Sequence, residues 1–235
     1  MLNELDKRLE LNDQRTEGKF CMKAIVIGAT GAVGRDLLDV LVRDPRYEQV
    51  LAFARRDPGM KAANLRFYRV DFERPEEWRE MVRGDVLFSA LGTSKKQAGS
   101  KEAQYHVDYD YQVGFARIAR ENGVPRMVLV SSVGANPSSR WFYLRLKGQI
   151  EEDIAALHFD GLTILQPPSL IRKHAKRLLE VLSVKFISLL NLVGFARSMA
   201  PISTETVASC MAEAGAESFC GIRRIVGQEI HRIPR

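Results

Sequence analysis

Short apolar runs alternate with amphipathic stretches along most of the chain from Lys23 onward. Each run is continuously apolar, as expected of a strand buried on both faces of a parallel sheet. The pattern predicts strands at 24–27, 50–54, 65–70, 86–90, 127–130 and 162–165, with a candidate last strand at 224–226. It predicts helices through 37–42, over about 103–122 and over 139–157. This order of elements indicates an α/β fold with a doubly wound parallel sheet and right-handed crossovers.

The two ends of the chain depart from this alternation. Residues 1–21 are a charged N-terminal extension with a thin apolar stripe, and three interpretations stay open: a docking helix, a loose tail, or a segment ahead of a natural start at Met22. Residues 22–235 are predicted to form one domain that becomes mostly helical from about residue 167. We expect that last part, with an apolar helix at 178–199, to be a small helical C-terminal lobe on the substrate side.

A glycine-rich turn joins the first predicted strand to the first predicted helix. Its glycines are spaced GxxGxxG, which departs from the more familiar GxGxxG. In such a turn the first glycine permits a tight bend, the second lets the backbone approach a pyrophosphate, and the third lets helix and strand pack closely. The helix then offers unpaired N–H groups to the phosphates. The residues expected to bind a dinucleotide here are Gly28, Thr30, Gly31, Ala32, Val33 and Gly34.

Two arginines end the second strand, where an acidic residue would bind the ribose 2′-hydroxyl of NAD. Arg55 lies 21 residues beyond Gly34 and is followed by Arg56. Because guanidinium groups bind a 2′-phosphate that a carboxylate would repel, the pair predicts NADP(H) rather than NAD(H). The alternative is that both arginines are solvated loop charges, and the nearby Asp57 keeps it open. Asp71, at the end of the third strand, is expected to accept from the adenine amino group, and residues 91–93 (Leu91, Gly92 and Thr93) are expected to lie along the cofactor.

The composition of the chain gives little evidence for binding partners other than the cofactor. The net charge is +6, but the basic residues are scattered, so an anionic cofactor explains the excess and no nucleic acid is expected. A small basic cluster at 172–177 is interpreted as a solvated helix face, with an acidic substrate or membrane surface as the alternative. The three cysteines and four histidines show no disulfide or metal-site spacing. Since no apolar signal region and no run of 18 apolar residues occurs, we expect a cytoplasmic protein without a membrane span.

A second constellation follows the fifth strand. Tyr143 and Lys147 are four residues apart on a predicted helix and therefore share a face. Ser131 and Ser132 end the strand that precedes this helix. Because side chains alternate along a strand, only one serine faces the ligand crevice, and we favour Ser132.

With these motifs the chain resembles an atypical short-chain dehydrogenase/reductase, in the branch of the Tat-interacting 30-kDa protein and its bacterial relatives. The resemblance covers about residues 22–215. It is carried by Gly28–Gly34, Arg55-Arg56, Val70-Asp71-Phe72, Leu91-Gly92-Thr93, Val107-Asp108, Ser131–Ala135 and Tyr143–Gly148. It implies a Rossmann fold, NADPH as ligand and a Ser-Tyr-Lys catalytic set. Tyr143 would be the general acid or base, Lys147 would supply a cation and hold the nicotinamide ribose, and Ser132 would orient the substrate oxygen.

The chain departs from its apparent family at two places. The loop after the sixth strand reads Gln166-Pro167-Pro168-Ser169 where related proteins often have Arg-Pro-Gly or Arg-Pro-Ser, so a positive charge is lost, although Pro168 is still expected beside the cofactor. Asp108 and Asp110 stand where related proteins often carry asparagine; ordering of a water chain and a solvated or capping role are both open.

The sequence therefore predicts an NADPH-dependent oxidoreductase acting on a carbonyl or alcohol that the sequence does not identify. The alternative is a non-catalytic NADPH-binding redox sensor or assembly scaffold, which would use the same glycine turn and arginine pair. Sugar-nucleotide epimerase chemistry is less favoured, because it needs a larger C-terminal lobe than the residues after Pro168 readily provide. The partner, whether a small substrate or a protein, is not identified by the sequence.

Overall fold

The computed structural model describes residues 21–171 and 200–232. Predictions for the N-terminal extension up to residue 20, for the apolar helix at 178–199 and for the basic cluster at 172–177 lie outside the described residues. In the described ranges, no helix is long and apolar enough to cross a membrane.

A seven-stranded, all-parallel sheet forms the centre of the molecule, in the order β3-β2-β1-β4-β5-β6-β9. A separate two-stranded pair joins β7 to β8. The predicted doubly wound parallel sheet is confirmed. The strands are β1 Met22–Ile27, β2 Tyr47–Ala54, β3 Leu65–Arg69, β4 Val86–Ser89, β5 Arg126–Val130, β6 Gly161–Gln166, β7 Leu170–Ile171, β8 Ile202–Ser203 and β9 Gly221–Val226.

Helices cover both faces of this sheet. They are α1 Ala32–Arg43, α2 Lys95–Ala98, α3 Lys101–Tyr105, α4 Tyr111–Glu121, α5 Phe142–Ala155 and α6 Thr204–Ala216, with 3₁₀ turns at Pro75–Glu77, Arg79–Met81 and Gly227–His231. The helix predicted over 103–122 is interrupted by a π-helical segment, His106–Asp110, between α3 and α4. A π insertion shifts the helical register locally while leaving the apolar periodicity recognisable, so the sequence pattern did not reveal it.

The core consists of two apolar layers, one on each side of the sheet. Successive residues of β1 belong to opposite layers: Val26 lies in the layer with α1 and α6, and Ile27 lies in the layer with α4 and α5. Leu37 and Leu38 of α1 are fully buried, and each such leucine contributes roughly 1.5–3 kcal/mol through burial. The continuous apolar runs of the sequence therefore correspond to strands covered on both faces.

The last described elements return to the main sheet. The β9 strand extends it beside β6, and α6 packs against α1. Arg46 forms two hydrogen bonds to the Glu213 carboxylate at 2.6 and 2.7 Å, and the Tyr47 hydroxyl donates to the Ala212 carbonyl at 2.6 Å. The described part of the expected C-terminal lobe thus lies within the layers of the main domain.

Two glycines let α1 begin directly against the ends of β1 and β4. Gly28 has a φ of +80°, and a Cβ at this position would lie 2.4 Å from the Ala90 backbone. A Cβ at Gly34 would lie 2.1 Å from the Gly28 carbonyl oxygen. Both contacts are closer than a side chain permits, so the strand–turn–helix junction requires glycine at both positions.

We predict that Gly34→Ala lowers the free energy of unfolding by about 1–3 kcal/mol, because the added methyl group must displace the turn backbone. Gly114→Ala is the matched control, since Gly114 also lies within a helix but has open space around its Cβ position. That control should gain roughly 0.5–1 kcal/mol. Urea denaturation of both variants measures the difference, and equal effects would contradict the close-packing account.

A polar latch joins the loop after β3 to the π-helical segment. His106 bonds to Asp110 through Nδ1 at 2.6 Å and to Glu73 through Nε2 at 2.7 Å, and the Tyr111 hydroxyl also donates to Glu73. Hydrogen bonds to Asp110 and Glu73 raise the pKa of His106 above its ordinary value. Hydrogen bonds from Tyr111 and His106 lower the pKa of Glu73.

The directions of these shifts fix the pH dependence of the latch. The hydrogen bonds that raise the pKa of His106 stabilise the folded state fully below about pH 6.5, and this stabilisation is lost as pH rises through the folded-state pKa. The hydrogen bonds that lower the pKa of Glu73 stabilise the folded state above about pH 4.3, and this stabilisation is lost as pH falls through the folded-state pKa of Glu73. The latch is therefore strongest between these two regions.

We predict that His106→Gln destabilises the protein by less than about 1 kcal/mol near pH 6, because the latch is partly exposed. The difference from the parent protein should shrink as pH rises above the raised His106 pKa. Urea denaturation across this range measures it, with His231→Gln as the control that keeps the parent's profile. A difference independent of pH would refute the charged latch.

Candidate cofactor and active site

The N-terminus of α1 is open at the carboxyl ends of the central strands. Gly31 caps this helix without a side-chain hydrogen bond, and its first turn contains no acidic residue. The Gly31 N–H donates to the Gly28 carbonyl at 2.9 Å, which closes the turn. The following N–H groups are thus left for an anion, and the helix dipole favours one there.

One crevice, formed by two overlapping cavities of about 330 and 380 Å³, runs past this helix end. Both cavities are lined by the glycine turn and by the loop that follows β4. The shared lining residues are Thr30, Gly31, Ala90, Leu91, Gly92, Thr93 and Gln97. The structure thus brings the predicted turn and the predicted 91–93 segment together. Ala32 and Val33 line the cavity on the side of α5, and Gly28 lines the other.

The cavity of about 380 Å³, called the far cavity, is bounded by the arginine pair, and the cavity of about 330 Å³ is called the near cavity. Arg55 and Arg56 are exposed and line it together with Val107. Neither arginine forms a salt bridge with any residue of the described ranges. The neighbouring Asp57 accepts from the Gly59 N–H at 2.7 Å and forms no salt bridge with either arginine. Within the described part of the chain, two guanidinium groups without an ionic partner therefore lie at this end of the crevice.

Four predicted site residues do not line either cavity: Gly34, Asp71, Ser132 and Pro168. Gly34 contacts the turn from behind, as its packing role requires. The Asp71 carboxylate is exposed and accepts from the Glu73 N–H at 3.1 Å, while the Asp71 carbonyl accepts from the Trp78 indole at 2.7 Å. These local bonds stabilise the loop after β3 and direct the carboxylate away from the crevice lining.

The near cavity contains the tyrosine and lysine of α5. The Tyr143 side chain is 42% exposed at its mouth, whereas Lys147 is 5% exposed. The Lys147 ammonium donates to the Val130 carbonyl at 3.5 Å, at the end of β5. Further along α5, the Glu151 carboxylate accepts from Gln166 of β6 at 2.8 Å, which fixes the helix over the sheet. The predicted shared face of this helix is thus turned toward the crevice.

Ser131, rather than the favoured Ser132, lies in the crevice lining. Ser131 is 5% exposed, and its hydroxyl has no partner in the described part of the chain. The Ser132 hydroxyl donates instead to the Val133 carbonyl at 3.3 Å. The expectation that Ser132 faces the crevice is corrected here. Both serines follow β5, which ends at Val130, so the alternation of strand residues does not apply to them.

Asp108 is a site residue to which sequence reasoning gave little weight. It is fully buried in the near cavity, and its Oδ1 accepts from the Thr93 N–H at 2.6 Å. Gln104 donates to the Thr93 carbonyl at 3.1 Å, so both backbone groups of Thr93 are held. Burial raises the pKa of Asp108, while the Lys147 charge and the Thr93 N–H oppose this. Asp110, two residues later, is exposed and belongs to the latch.

The crevice fits a phosphate-bearing dinucleotide at each of its parts. Free arginines lie at one end, and a helix N-terminus free of acidic residues lies in the middle. At the other end, the Ser131 Oγ and the Asp108 Oδ2 are buried and have no hydrogen-bond partner in residues 21–171 and 200–232, which is expected where a ligand supplies the missing partners. In the described residues, no cluster of three or more His, Cys, Asp or Glu side chains is placed to hold a metal ion.

Two fungal relatives share this sequence over most of its length. The protein FMP52-1, mitochondrial, of Scheffersomyces stipitis is 35% identical over 84% of this chain and 90% of its own. The protein FMP52, mitochondrial, of Meyerozyma guilliermondii is 35% identical over 80% of this chain and 82% of its own. These names overturn the prediction of a cytoplasmic protein. The criterion behind it could not reveal mitochondrial import, because transit peptides are amphipathic and basic rather than apolar.

Solved structures agree on the fold. A short-chain dehydrogenase/reductase superfamily protein of Agrobacterium tumefaciens, with bound NAD, superposes with a TM-score of 0.65 at 14% identity, covering 87% of this chain and 77% of its own. At this identity the likeness shows the fold alone. The relatives carry the FMP52 name, so the branch of the Tat-interacting 30-kDa protein is not singled out.

A family model described as NAD(P)H-binding matches residues 28–217, which include the glycine turn, the arginine pair and the whole of α5. The chain therefore belongs to the NAD(P)H-binding family, as a relative of the FMP52 proteins, and has the Rossmann-like fold of the short-chain dehydrogenases/reductases.

Proposed function

We propose that this protein is an NADPH-dependent oxidoreductase of the atypical short-chain dehydrogenase/reductase type that acts on a carbonyl or alcohol. One observation carries the proposal: a single crevice leads from the arginine pair, past the open end of α1, to Tyr143 and Lys147. The adenosine half of the dinucleotide would lie at the arginines and the nicotinamide at α5. The names of the relatives support a mitochondrial location, and the motifs Ser131–Ala135 and Tyr143–Gly148 support the branch of the Tat-interacting 30-kDa protein.

The choice of NADP(H) over NAD(H) depends on the two free guanidinium groups. Arg55 and Arg56 have no salt-bridge partner in the described ranges, so both are available to the 2′-phosphate. A charge-assisted hydrogen bond to phosphate stabilises a complex by roughly 1.5–3 kcal/mol. NAD(H) lacks this phosphate and gains nothing comparable from the pair.

We predict that changing both Arg55 and Arg56 to Ala weakens NADPH binding at least about tenfold and leaves NADH binding within about twofold. The dissociation constants are measured by calorimetry. Arg83→Ala is the control, because Arg83 is exposed near the amino-terminal end of β4, opposite the crevice, and pairs with Glu80. Tighter binding of NADH than of NADPH by the parent protein would refute the preference.

In the proposed reaction, the chemistry supplied by NADPH, when bound, would be hydride transfer to a substrate carbonyl carbon. The Tyr143 phenol donates its proton to the carbonyl oxygen, and in the oxidation direction its phenolate accepts that proton. Lys147 stabilises the phenolate electrostatically and is positioned by the Val130 carbonyl. Ser131 donates a hydrogen bond to the substrate oxygen, since its hydroxyl is the one that lines the crevice without a partner.

We predict that Tyr143→Phe abolishes turnover, by at least about 100-fold, and leaves the NADPH dissociation constant unchanged, because only the proton donor is removed. NADPH consumption is measured against a panel of aldehydes and ketones. Tyr68→Phe is the control, as Tyr68 stacks on Phe53 outside the crevice lining. Full turnover by Tyr143→Phe would remove Tyr143 from the mechanism. Tight NADPH binding without turnover on any carbonyl would favour the redox-sensing scaffold.

A further inference from the structure

Asp108 is the fully buried carboxylate of the crevice, and only one of its oxygens has a hydrogen-bond partner among the described residues. Its Oδ1 accepts from the Thr93 N–H at 2.6 Å, while its Oδ2 has none within those ranges. It lines the same cavity as Tyr143 and Lys147. Burial of an ionisable group with an unused oxygen is costly, so its presence in a ligand cavity calls for an electrostatic role.

Only two charged side chains line this cavity among the described residues, Lys147 and Asp108. The Lys147 ammonium donates to the Val130 carbonyl, and no salt bridge within 4.0 Å joins it to Asp108. The two groups nevertheless attract each other through space. The pair leaves the cavity close to neutral, although each charge separately exerts a field on whatever binds between them.

The two redox forms of a nicotinamide differ in charge. The ring carries one positive charge when oxidised and none when reduced. An unbalanced cation beside the ring would therefore favour the reduced form, and an unbalanced anion would favour the oxidised form. The balance between Lys147 and Asp108 thus acts directly on the relative affinity of the two forms.

We propose that Asp108 sets the preference of the crevice for oxidised over reduced nicotinamide, by offsetting the charge of Lys147. The proposal rests on the proposed function, which places the nicotinamide in this cavity. Asp108 is in this sense a specificity-determining residue for the redox state of the cofactor. Its bond to Thr93 positions the loop after β4, and this structural role is separable from its charge.

Asp108→Asn tests the charge alone. The amide has the shape of the carboxylate, and its oxygen still accepts from the Thr93 N–H, but the negative charge is gone. The dissociation constants of NADP⁺ and NADPH are measured by calorimetry on the full chain. The ratio of the NADP⁺ constant to the NADPH constant should rise at least about tenfold, because a unit charge about 12 Å away at an effective dielectric constant of about 20 already has that effect.

Asp110→Asn is the matched control. Asp110 lies on the same π-helical segment and loses the same charge, but it is exposed and bonds to His106. Its variant should keep the parent's ratio. Asp108→Ser, whose hydroxyl also accepts a hydrogen bond, replaces the asparagine variant if that fails to fold, and it should raise the ratio in the same direction.

Two further measurements separate charge from structure. Asp108→Ala removes the bond to Thr93 as well as the charge. A displaced loop would weaken the binding of NADP⁺ and of NADPH by the same factor. The lost charge would still raise the ratio of the NADP⁺ constant to the NADPH constant. Adenosine 2′,5′-bisphosphate reports the arginine end alone, and its dissociation constant should be unchanged in the asparagine and serine variants.

An unchanged ratio in Asp108→Asn and Asp108→Ser, with both dinucleotides still bound, would overturn this inference and leave the proposed function intact. An equal shift in Asp110→Asn would overturn it as well, because the effect would then be one of net charge. If the parent protein bound neither dinucleotide nor adenosine 2′,5′-bisphosphate, the proposed function would fail together with the inference.

Discussion

Close packing at two glycines determines the rest of this structure: Gly28 lies against the backbone after β4, and Gly34 lies against Gly28. Because neither Gly28 nor Gly34 carries a side chain, α1 starts directly at the end of β1 and packs closely against the turn. Its N-terminus then faces the loops at the carboxyl ends of the central strands. Without this approach the helix would lie farther from the sheet, and its unpaired N–H groups would not border the crevice. One steric constraint thus creates the anion site and positions the helix that buries Leu37 and Leu38.

The π-helical segment connects the two ends of the crevice. Val107 lines the cavity beside the arginines, and Asp108 lines the cavity beside Lys147. His106 and Asp110 are exposed, and His106 bonds both to Asp110 and to Glu73, in the loop that follows β3. A regular α-helix places successive residues 100° apart, whereas the wider π turn lets four residues of one five-residue segment serve a latch and both cavities. The irregularity is therefore part of how the site is built, as π insertions at functional sites often are.

Local motifs were predictable from the sequence because their geometry follows from spacing alone. The glycine turn and the Tyr143–Lys147 pair each lie within one short segment, and the structure brings both to the crevice. The expectation that Ser132 lines the crevice was wrong because both serines follow β5, which ends at Val130, so strand alternation does not decide which one faces the crevice. Asp108 was underestimated because its burial depends on the π insertion and on Thr93, fifteen residues away. The doubly wound parallel sheet was predictable, since alternating strands and helices with right-handed crossovers leave few arrangements.

Charge is distributed along the crevice according to exposure. Beside Arg55 and Arg56 the guanidinium groups are exposed, so two like charges are solvated at little cost. Beside α5 the charged side chains that line the crevice are buried, and an unbalanced cation there would be expensive. The structure instead combines Lys147 with Asp108, two opposite charges held apart by bonds to different backbone groups. Because the two charges are separated, their net charge is zero, but each still exerts its own electric field. Under the proposed function, affinity is then supplied mainly by the exposed end, and chemical selectivity by the buried end. A contact ion pair at the buried end would cancel both fields and leave the phenol of Tyr143 without the cation proposed for it.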